Sequence, residues 1–129
     1  MIVVDSSVWI AQLRNQTTDA TVKLDHIENV ASIVVGDLVL FEVLQGARDD
    51  RHAGSIERNL RRFRFAPMLD EHTASLAAAN YRRLRGLGIT VRRSVDVLIA
   101  TYCIQNGHQL LHQDRDFRPF AEHLGLQIL

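Results

Sequence analysis

Residues 1–10, MIVVDSSVWI, decide the fold because they join a short apolar run to a helical pattern through a single acid. Residues 2–5 predict a first strand, and SVWIAQLR, residues 7–14, predicts the helix that follows. A strand followed directly by a helix is typical of α/β folds. Asp5 is therefore expected at the carboxyl end of a strand, the edge where open α/β sheets bind their ligands.

The same alternation of short apolar runs and helical segments continues along the chain. It predicts one α/β domain, residues 1–129, with a mostly parallel sheet of about five strands. Ser94 is expected to cap a helix that lacks a polar face and is therefore buried on all sides. The other strands are expected at 32–35, 64–69, 109–112 and 127–129, and the other helices at 18–29, 38–47, 52–63, 71–88, 95–107 and 117–123.

Composition excludes several classes of protein. The formal net charge is zero, and the apolar fraction of 47% is sufficient for one hydrophobic core. The first apolar run is broken by Asp5, which argues against a signal peptide or a membrane span, so we expect a cytoplasmic protein with no membrane partner. Cys103 is the only cysteine, so an internal disulfide and a multi-cysteine zinc site are excluded.

Four carboxylates stand where an ordinary core would not place them. Asp5 and Asp114 follow apolar runs and should project from the carboxyl ends of parallel strands. Glu42 and Asp96 lie in apolar helical segments, and the apolar runs around them supply no basic residue at helical spacing. An ionised carboxylate buried without a partner is costly, so these acids require one.

A divalent cation is the partner that such an arrangement favours. If the acids converge to within about 5 Å, each pair repels by roughly 3 kcal/mol at an effective dielectric constant near 20. Oxygen ligands without His or Cys at ligand spacing favour Mg²⁺ or Mn²⁺ over zinc. Such ions can activate water and stabilise a phosphate that is being attacked, which predicts phosphodiester hydrolysis. Structural or helix-capping duties for the acids are the alternative.

Four motifs resemble, in order and spacing, the acidic motifs of bacterial VapC-type PIN-domain ribonucleases. They are VVDSSVWI, FEVLQG, SVDVLIATYC and LLHQDRDF, and together they span almost the whole chain. No single motif is specific, but four in the right order on the expected elements make a strong signal. The resemblance implies a PIN-like three-layer α/β/α sandwich that cuts RNA with Mg²⁺ or Mn²⁺.

The resemblance also implies a role for individual residues. Asp116 should lie close to the acidic pocket, where it and Asp114 can exchange the roles of metal ligand and helper. Ser7 matches a hydroxyl placed beside the first acid, where it would hold a water on the metal, and an ordinary helix cap is the other interpretation. The catalytic, metal-binding acids are expected to be Asp5, Glu42, Asp96 and Asp114.

Four arginines flank the last two acidic motifs and are expected to rim the acidic pocket. Cations there would hold the RNA phosphates that carboxylates alone would repel. Ion pairing with the neighbouring acids is the alternative role. These arginines are Arg92, Arg93, Arg115 and Arg118.

Two protein partners follow from the resemblance. Similar proteins are toxins that are silenced by a VapB-like antitoxin and that form homodimers. The apolar residues Val8, Trp9 and Leu13, together with those around 38–44, also exceed what a small monomer needs, which favours a homodimer. A PIN-like module that binds RNA or protein without cutting is the alternative function.

Overall fold

The structure, a computed structural model, describes all residues from 1 to 129. Its strands are β1 (Ile2–Val4), β2 (Ile33–Gly36), β3 (Arg64–Ala66), β4 (Gln109–Leu111) and β5 (Gln127–Ile128). They form one sheet in the order β3-β2-β1-β4-β5, and every neighbouring pair is parallel. The α/β class and the five-stranded parallel sheet expected from the sequence are confirmed.

Seven α-helices connect these strands, and none is long and apolar enough to cross a membrane. The predicted helices are all present, with ends shifted by a few residues. Two short 3₁₀ helices cover Val30–Ser32 and Arg115–Phe117. The α-helices are α1 (Ser6–Leu13), α2 (Asp19–Asp25), α3 (Asp37–Gln45), α4 (Asp50–Leu60), α5 (Glu71–Gly86), α6 (Ser94–Asn106) and α7 (Arg118–Leu124).

The strand order divides the helices into two layers. The chain moves outward from β1 through β2 to β3, then crosses back over the sheet to β4 and β5. Because crossovers between parallel strands are right-handed, the two directions place α1 to α4 on one face and α5 to α7 on the other. The packing agrees, since α1 contacts α2 and α3, while α5 contacts α6 and α7. The result is the expected α/β/α sandwich.

The change of direction lies between β1 and β4. These two strands pair directly, with Val4 opposite Leu111, and the Asp5 amide donates a hydrogen bond of 2.9 Å to the Leu111 carbonyl. The helices that leave β1 and β4 diverge to opposite faces, which opens a crevice at the carboxyl edge of the sheet. Asp5 and the segment after β4 border this crevice.

The core lies on both faces of the central strands. Val3, Val4, Leu110 and Leu111 are fully buried, and six of the thirteen residues of α6 are buried as well. Val95, Leu98 and Tyr102, which follow one another at helical spacing, are only half-buried, so the prediction that α6 is buried on all sides is wrong for this face.

The start of α6 differs from the expectation. Ser94 is the first residue of the helix rather than its cap, and Arg93 occupies the cap position without a side-chain hydrogen bond to the helix amides. The Arg93 backbone is extended, with φ −118° and ψ 122°. Its long side chain, which is not used in capping, turns instead toward the carboxylates at the carboxyl edge of the sheet.

Gly36 is required where β2 passes into α3, because a Cβ there would lie 2.0 Å from the Sδ of buried Met68. We expect Gly36→Ala to lower the free energy of unfolding by about 1–3 kcal/mol through this overpacking. Denaturant unfolding followed by circular dichroism measures the change. The additional substitution Met68→Val should restore part of the loss.

Gly46, at the other end of α3, offers the matched control. A Cβ there would meet only the Val43 carbonyl at 3.7 Å, an ordinary contact. Gly46→Ala should therefore change stability by no more than about 0.5 kcal/mol. Equal losses for the two alanine variants would contradict the steric explanation.

Candidate active site

Asp5 is completely buried at the carboxyl end of β1 and forms the N-cap of α1. Its Oδ2 accepts hydrogen bonds from the amide and the hydroxyl of Ser7. Its Oδ1 is buried and has no hydrogen-bond partner. A buried carboxylate oxygen without a partner costs on the order of 1–3 kcal/mol, so it indicates a ligand that the protein itself does not supply.

Glu42 is held beside Asp5 by the first turn of α1. The hydroxyl of Ser6 donates a hydrogen bond of 3.0 Å to Glu42 Oε1, which joins α1 to α3. Burial raises the pKa of Glu42 above its ordinary value, and the neighbouring charge of Asp5 raises it further, although Ser6 and Arg93 act in the opposite direction. Glu42 is thus a buried acid whose ionisation is opposed by the negative charge of Asp5.

Three further acids converge next to this pair. Asp96, on the first turn of α6, is completely buried, while Asp114 and Asp116 lie in the segment after β4. One carboxylate oxygen of each lies within 4.8 Å of the others. Asp114 is the N-cap of the 3₁₀ helix, where its Oδ1 accepts a bond of 2.9 Å from the Asp116 amide.

Asp5 and Glu42 both act on the pKa of Asp96, so these two acids belong to the same charged site as the cluster. Burial is the largest cause that raises the pKa of Asp96, to about 6, and the charges of Asp5 and Glu42 raise it as well. Arg93 lowers the pKa without cancelling these effects. Ionised Asp96 is therefore disfavoured in the fold, chiefly by burial, and the repulsion from Asp5 and Glu42 adds to this effect.

Arg93 forms ion pairs with the acids, which is the alternative role that the sequence left open for it. It stands three residues before Asp96, and its Nε lies 3.2 Å from Asp96 Oδ2. A terminal nitrogen lies 3.3 Å from Asp114 Oδ2, and the other lies 3.8 Å from Glu42 Oε2. The expectation that the acids have no basic neighbour at helical spacing is wrong, because Arg93 lies just outside the apolar run.

The other three arginines differ in their ion pairing with the acids. Arg92 is largely exposed, and one of its terminal nitrogens lies 3.6 Å from Asp116 Oδ1. It therefore forms a weak ion pair, which was the alternative role expected for it. Arg115 and Arg118 are exposed, flank Asp116 in sequence and form no ion pair. They therefore remain available to a polyanion.

The acidic side chains fit a divalent cation. The cluster offers oxygens from Asp96, Asp114 and Asp116. Asp5, whose charge acts on the pKa of Asp96, offers a further buried oxygen, Oδ1, that has no partner. Carboxylate oxygens are the ligands that Mg²⁺ and Mn²⁺ prefer in proteins. His112, the nearest imidazole in sequence, accepts a hydrogen bond from the Asp114 amide and packs on Phe117, so it supports the turn.

Comparison with known proteins decides the family. Residues 2–122 match the family model described as PIN domain. The chain belongs to the PIN domain family. This PIN domain is 33% identical to the ribonuclease VapC11 of Mycobacterium tuberculosis, over 98% of its own length and 96% of the relative. The VapC ribonuclease Mb1587 of Mycobacterium bovis shows the same identity and coverage. The VapC-type PIN family predicted from the motifs is confirmed.

A solved structure gives the same fold. The structure of VapBC2 from Rickettsia felis, bound to a DNA fragment from its promoter, superposes with a TM-score of 0.79 at 16% identity and covers 100% of this PIN domain and 98% of that chain. At this identity the likeness concerns the fold. It agrees with the sandwich described above.

The structure places the five predicted acids at one edge of the sheet, and Ser7 bonds Asp5, the first acid, as the motif implies. The partner that the sequence does not indicate is Ser6, which bonds Glu42. The cap of α1 is Asp5 itself, so the interpretation of Ser7 as an ordinary cap is wrong. For Arg93, the alternative of ion pairing with the neighbouring acids is confirmed.

The raised pKa of Asp96 yields a test by pH. A carboxyl whose pKa is higher in the fold than in the unfolded chain stabilises the fold at low pH and loses that contribution as the pH rises through about 4 to 6. We expect metal-free Asp96→Asn to be about 1–3 kcal/mol more stable than the parent at pH 7.5. Its melting temperature should rise by roughly 5 °C there and by much less at pH 4.5.

Glu122→Gln is the control for this prediction, since Glu122 is an exposed acid whose only ionic neighbour is His123 at 3.9 Å. Its melting temperature should follow the parent at both pH values. A lower melting temperature for Asp96→Asn at pH 7.5 would show that the contacts of Asp96 with Arg93 outweigh the cost of burying its charge.

Proposed function

We propose that this PIN domain, residues 1–129, is the toxin of a VapC-type toxin–antitoxin pair and hydrolyses RNA phosphodiester bonds with Mg²⁺ or Mn²⁺. The family match and the ribonuclease names of its relatives support the endoribonuclease activity. The observation that carries the metal dependence is the convergence of acids at one sheet edge, where Asp5 Oδ1 lies buried without a partner.

The residues that would hold the cation are Asp5, Glu42, Asp96 and Asp114, with Asp116 beside them. When bound, the cation supplies Lewis acidity toward the scissile phosphate and lowers the pKa of water. The rigid placement of these acids follows from the fold, because Asp5 is fixed by the Leu111 carbonyl and Ser7. Glu42 is similarly fixed by Ser6.

The basic residues have a complementary task. Carboxylates repel RNA phosphates, so a cationic rim is needed to bring the backbone to the crevice. Arg115 and Arg118 are exposed and unpaired, while Arg92 is mostly exposed and only loosely paired with Asp116. These three arginines would bind phosphates on either side of the scissile bond and so fix the register of the RNA.

The partners follow from the family. The fold is shared with the toxin of the Rickettsia felis VapBC2 complex, so a VapB-like antitoxin is the expected protein partner here. The expected compartment is the cytoplasm, where messenger, transfer and ribosomal RNA are present.

We expect a homodimer, although the structure removes two of the residues that led to this expectation. Val8 and Trp9 are buried in the chain's own core, where Trp9 packs on Phe63, so they do not argue for an interface. Leu13 and Phe41 remain, with exposed fractions of 43% and 60%. Exposed large apolar side chains are a known feature of protein interfaces.

The oligomeric state can be measured by light scattering after size exclusion. We expect a mass near twice that of the 14.6 kDa chain. Phe41→Asp should shift the protein toward the monomer, because it places a charge on the exposed apolar surface. Leu87→Asp, at another exposed apolar side chain, should not, because Leu87 lies at the end of α5 in the other helix layer. A monomeric parent protein at micromolar concentration would contradict the homodimer.

Cleavage of total RNA tests the proposed activity. Purified protein, free of antitoxin, should cut RNA with Mg²⁺ or Mn²⁺ and stop when EDTA is added. Asp5→Asn should lower the cleavage rate at least about 100-fold, because it removes a buried charge that holds the cation. The fold should persist in this variant, since Asn can still accept the bonds from Ser7.

Glu28→Gln is the matched control, since Glu28 is exposed, forms no ion pair and precedes β2 at the opposite edge of the sheet. Its cleavage rate should equal that of the parent. A folded parent protein that binds RNA but cuts none with either metal would favour the alternative, a PIN-like module that binds RNA or protein without catalysis.

A further inference from the structure

Arg93 occupies the middle of the acidic crevice rather than its rim. Its guanidinium lies within 4 Å of oxygens on Asp96, Asp114 and Glu42, which come from three separate segments of the chain. No other cation contacts these three acids, since Arg92 reaches only Asp116. A single positive charge thus balances at least three negative ones.

The oxygens that Arg93 contacts overlap with those that would hold the metal. Asp96 and Asp114 belong to the cluster whose oxygens lie within 4.8 Å of one another, and both also face the guanidinium. A divalent cation placed among them would lie a few ångströms from the Arg93 charge. Because like charges at such distances repel strongly outside bulk water, the guanidinium and the cation cannot share these oxygens without cost.

Arg93 can leave the crevice without unfolding the domain. About half of its side chain is exposed, whereas Asp96 is completely buried. Its backbone lies at the cap position of α6, outside the helix, and its side chain makes no capping bond that would have to break. The acids are therefore fixed by the fold, and the arginine is the component that can move.

We propose that Arg93 is an internal counter-ion that holds the acidic site together without metal and that Mg²⁺ or Mn²⁺ must displace to bind. The inference rests on the proposed metal site and adds a property of this chain to it. Displacing the guanidinium costs binding free energy, so Arg93 weakens the affinity for the cation and sets the concentration at which the site fills. The same residue stabilises the metal-free fold by reducing repulsion among the acids.

Titration of the full chain with Mn²⁺ alone, followed by calorimetry without RNA, tests the proposal. We expect Arg93→Gln to bind Mn²⁺ about tenfold more tightly than the parent, because it removes the competing charge. Arg92→Gln should tighten binding by less than about threefold, since Arg92 is largely exposed and contacts only Asp116. Arg64→Gln, at the amino edge of the sheet, should leave the affinity unchanged.

Thermal melting gives a second readout that does not depend on catalysis. In EDTA, Arg93→Gln should melt below the parent, because the acids lose their counter-ion. In saturating Mn²⁺ the variant should gain more in melting temperature than the parent gains, as expected for tighter binding to the folded state. Arg64→Gln should match the parent in both conditions.

The outcomes separate this proposal from the proposed function. If the parent binds Mn²⁺ and Arg93→Gln binds it equally or more weakly, Arg93 supports the metal site and the counter-ion proposal is overturned. If the parent binds no Mn²⁺, the metal site falls together with the proposal. Should Arg93→Gln fail to fold without metal, its folding is followed as Mn²⁺ is added, because a cation that replaces Arg93 should restore the fold. Failure to fold in saturating Mn²⁺ also overturns the proposal.

Discussion

Repulsion among buried carboxylates at the carboxyl edge of the sheet is the constraint on which the site depends. The change of chain direction between β1 and β4 opens a crevice at the carboxyl edge of the sheet, and the acids gather there. Burial raises the pKa of Asp96 to about 6, so the fold carries the cost of keeping that group ionised at neutral pH. Holding these acids together lowers the stability of the metal-free fold, and their negative charge attracts cations.

The surrounding structure holds this distribution in place. The five-stranded sheet buries Val3, Val4 and their neighbours on β4 completely, and six residues of α6, Asp96 among them, are buried as well. Asp96 lies on the first turn of that helix, so it cannot move away from Asp5 without disturbing the core. A rigid set of acids is what catalysis by a bound cation requires, because the ligands must be placed before the cation arrives.

The fold could be predicted well because its signals are local. Each buried strand is a short apolar run, and the acid or glycine that follows marks where it ends, as Asp5 and Gly36 do. Helix ends were less accurate, because they depend on particular caps. Asp49 caps α4 through the His52 amide, so the helix begins two residues before the expected position. The helix predicted at 18–29 ends at Asp25 and is followed by a separate 3₁₀ turn.

The acids of the candidate site could be predicted for the same reason, since strand ends and charged residues in apolar helical segments can be recognised in the sequence itself. Their partners could not all be found in this way. Whether Ser6 or Ser7 reaches Glu42 depends on the rotation of α1 against α3, which only the packed fold determines. The spacing of Arg93 to Asp96 is local, but its contacts with Asp114 and Glu42 join segments far apart in sequence.

Arg93 therefore shows why an acidic crevice needs more than acids. A site with only carboxylates would bind a cation tightly but would destabilise the fold whenever the cation is absent, and it would repel the phosphates of RNA at all times. A mobile arginine beside fixed acids reduces the first problem, because it neutralises part of the charge until a stronger cation replaces it. The repulsion of RNA phosphates is reduced by Arg115 and Arg118, because these exposed arginines form no ion pair with the acids and keep their charge available. The two kinds of arginine differ in what they contact, and that difference follows from position: Arg93 lies at the start of α6, three residues before buried Asp96, whereas the other two lie on the exposed surface around the last acidic turn.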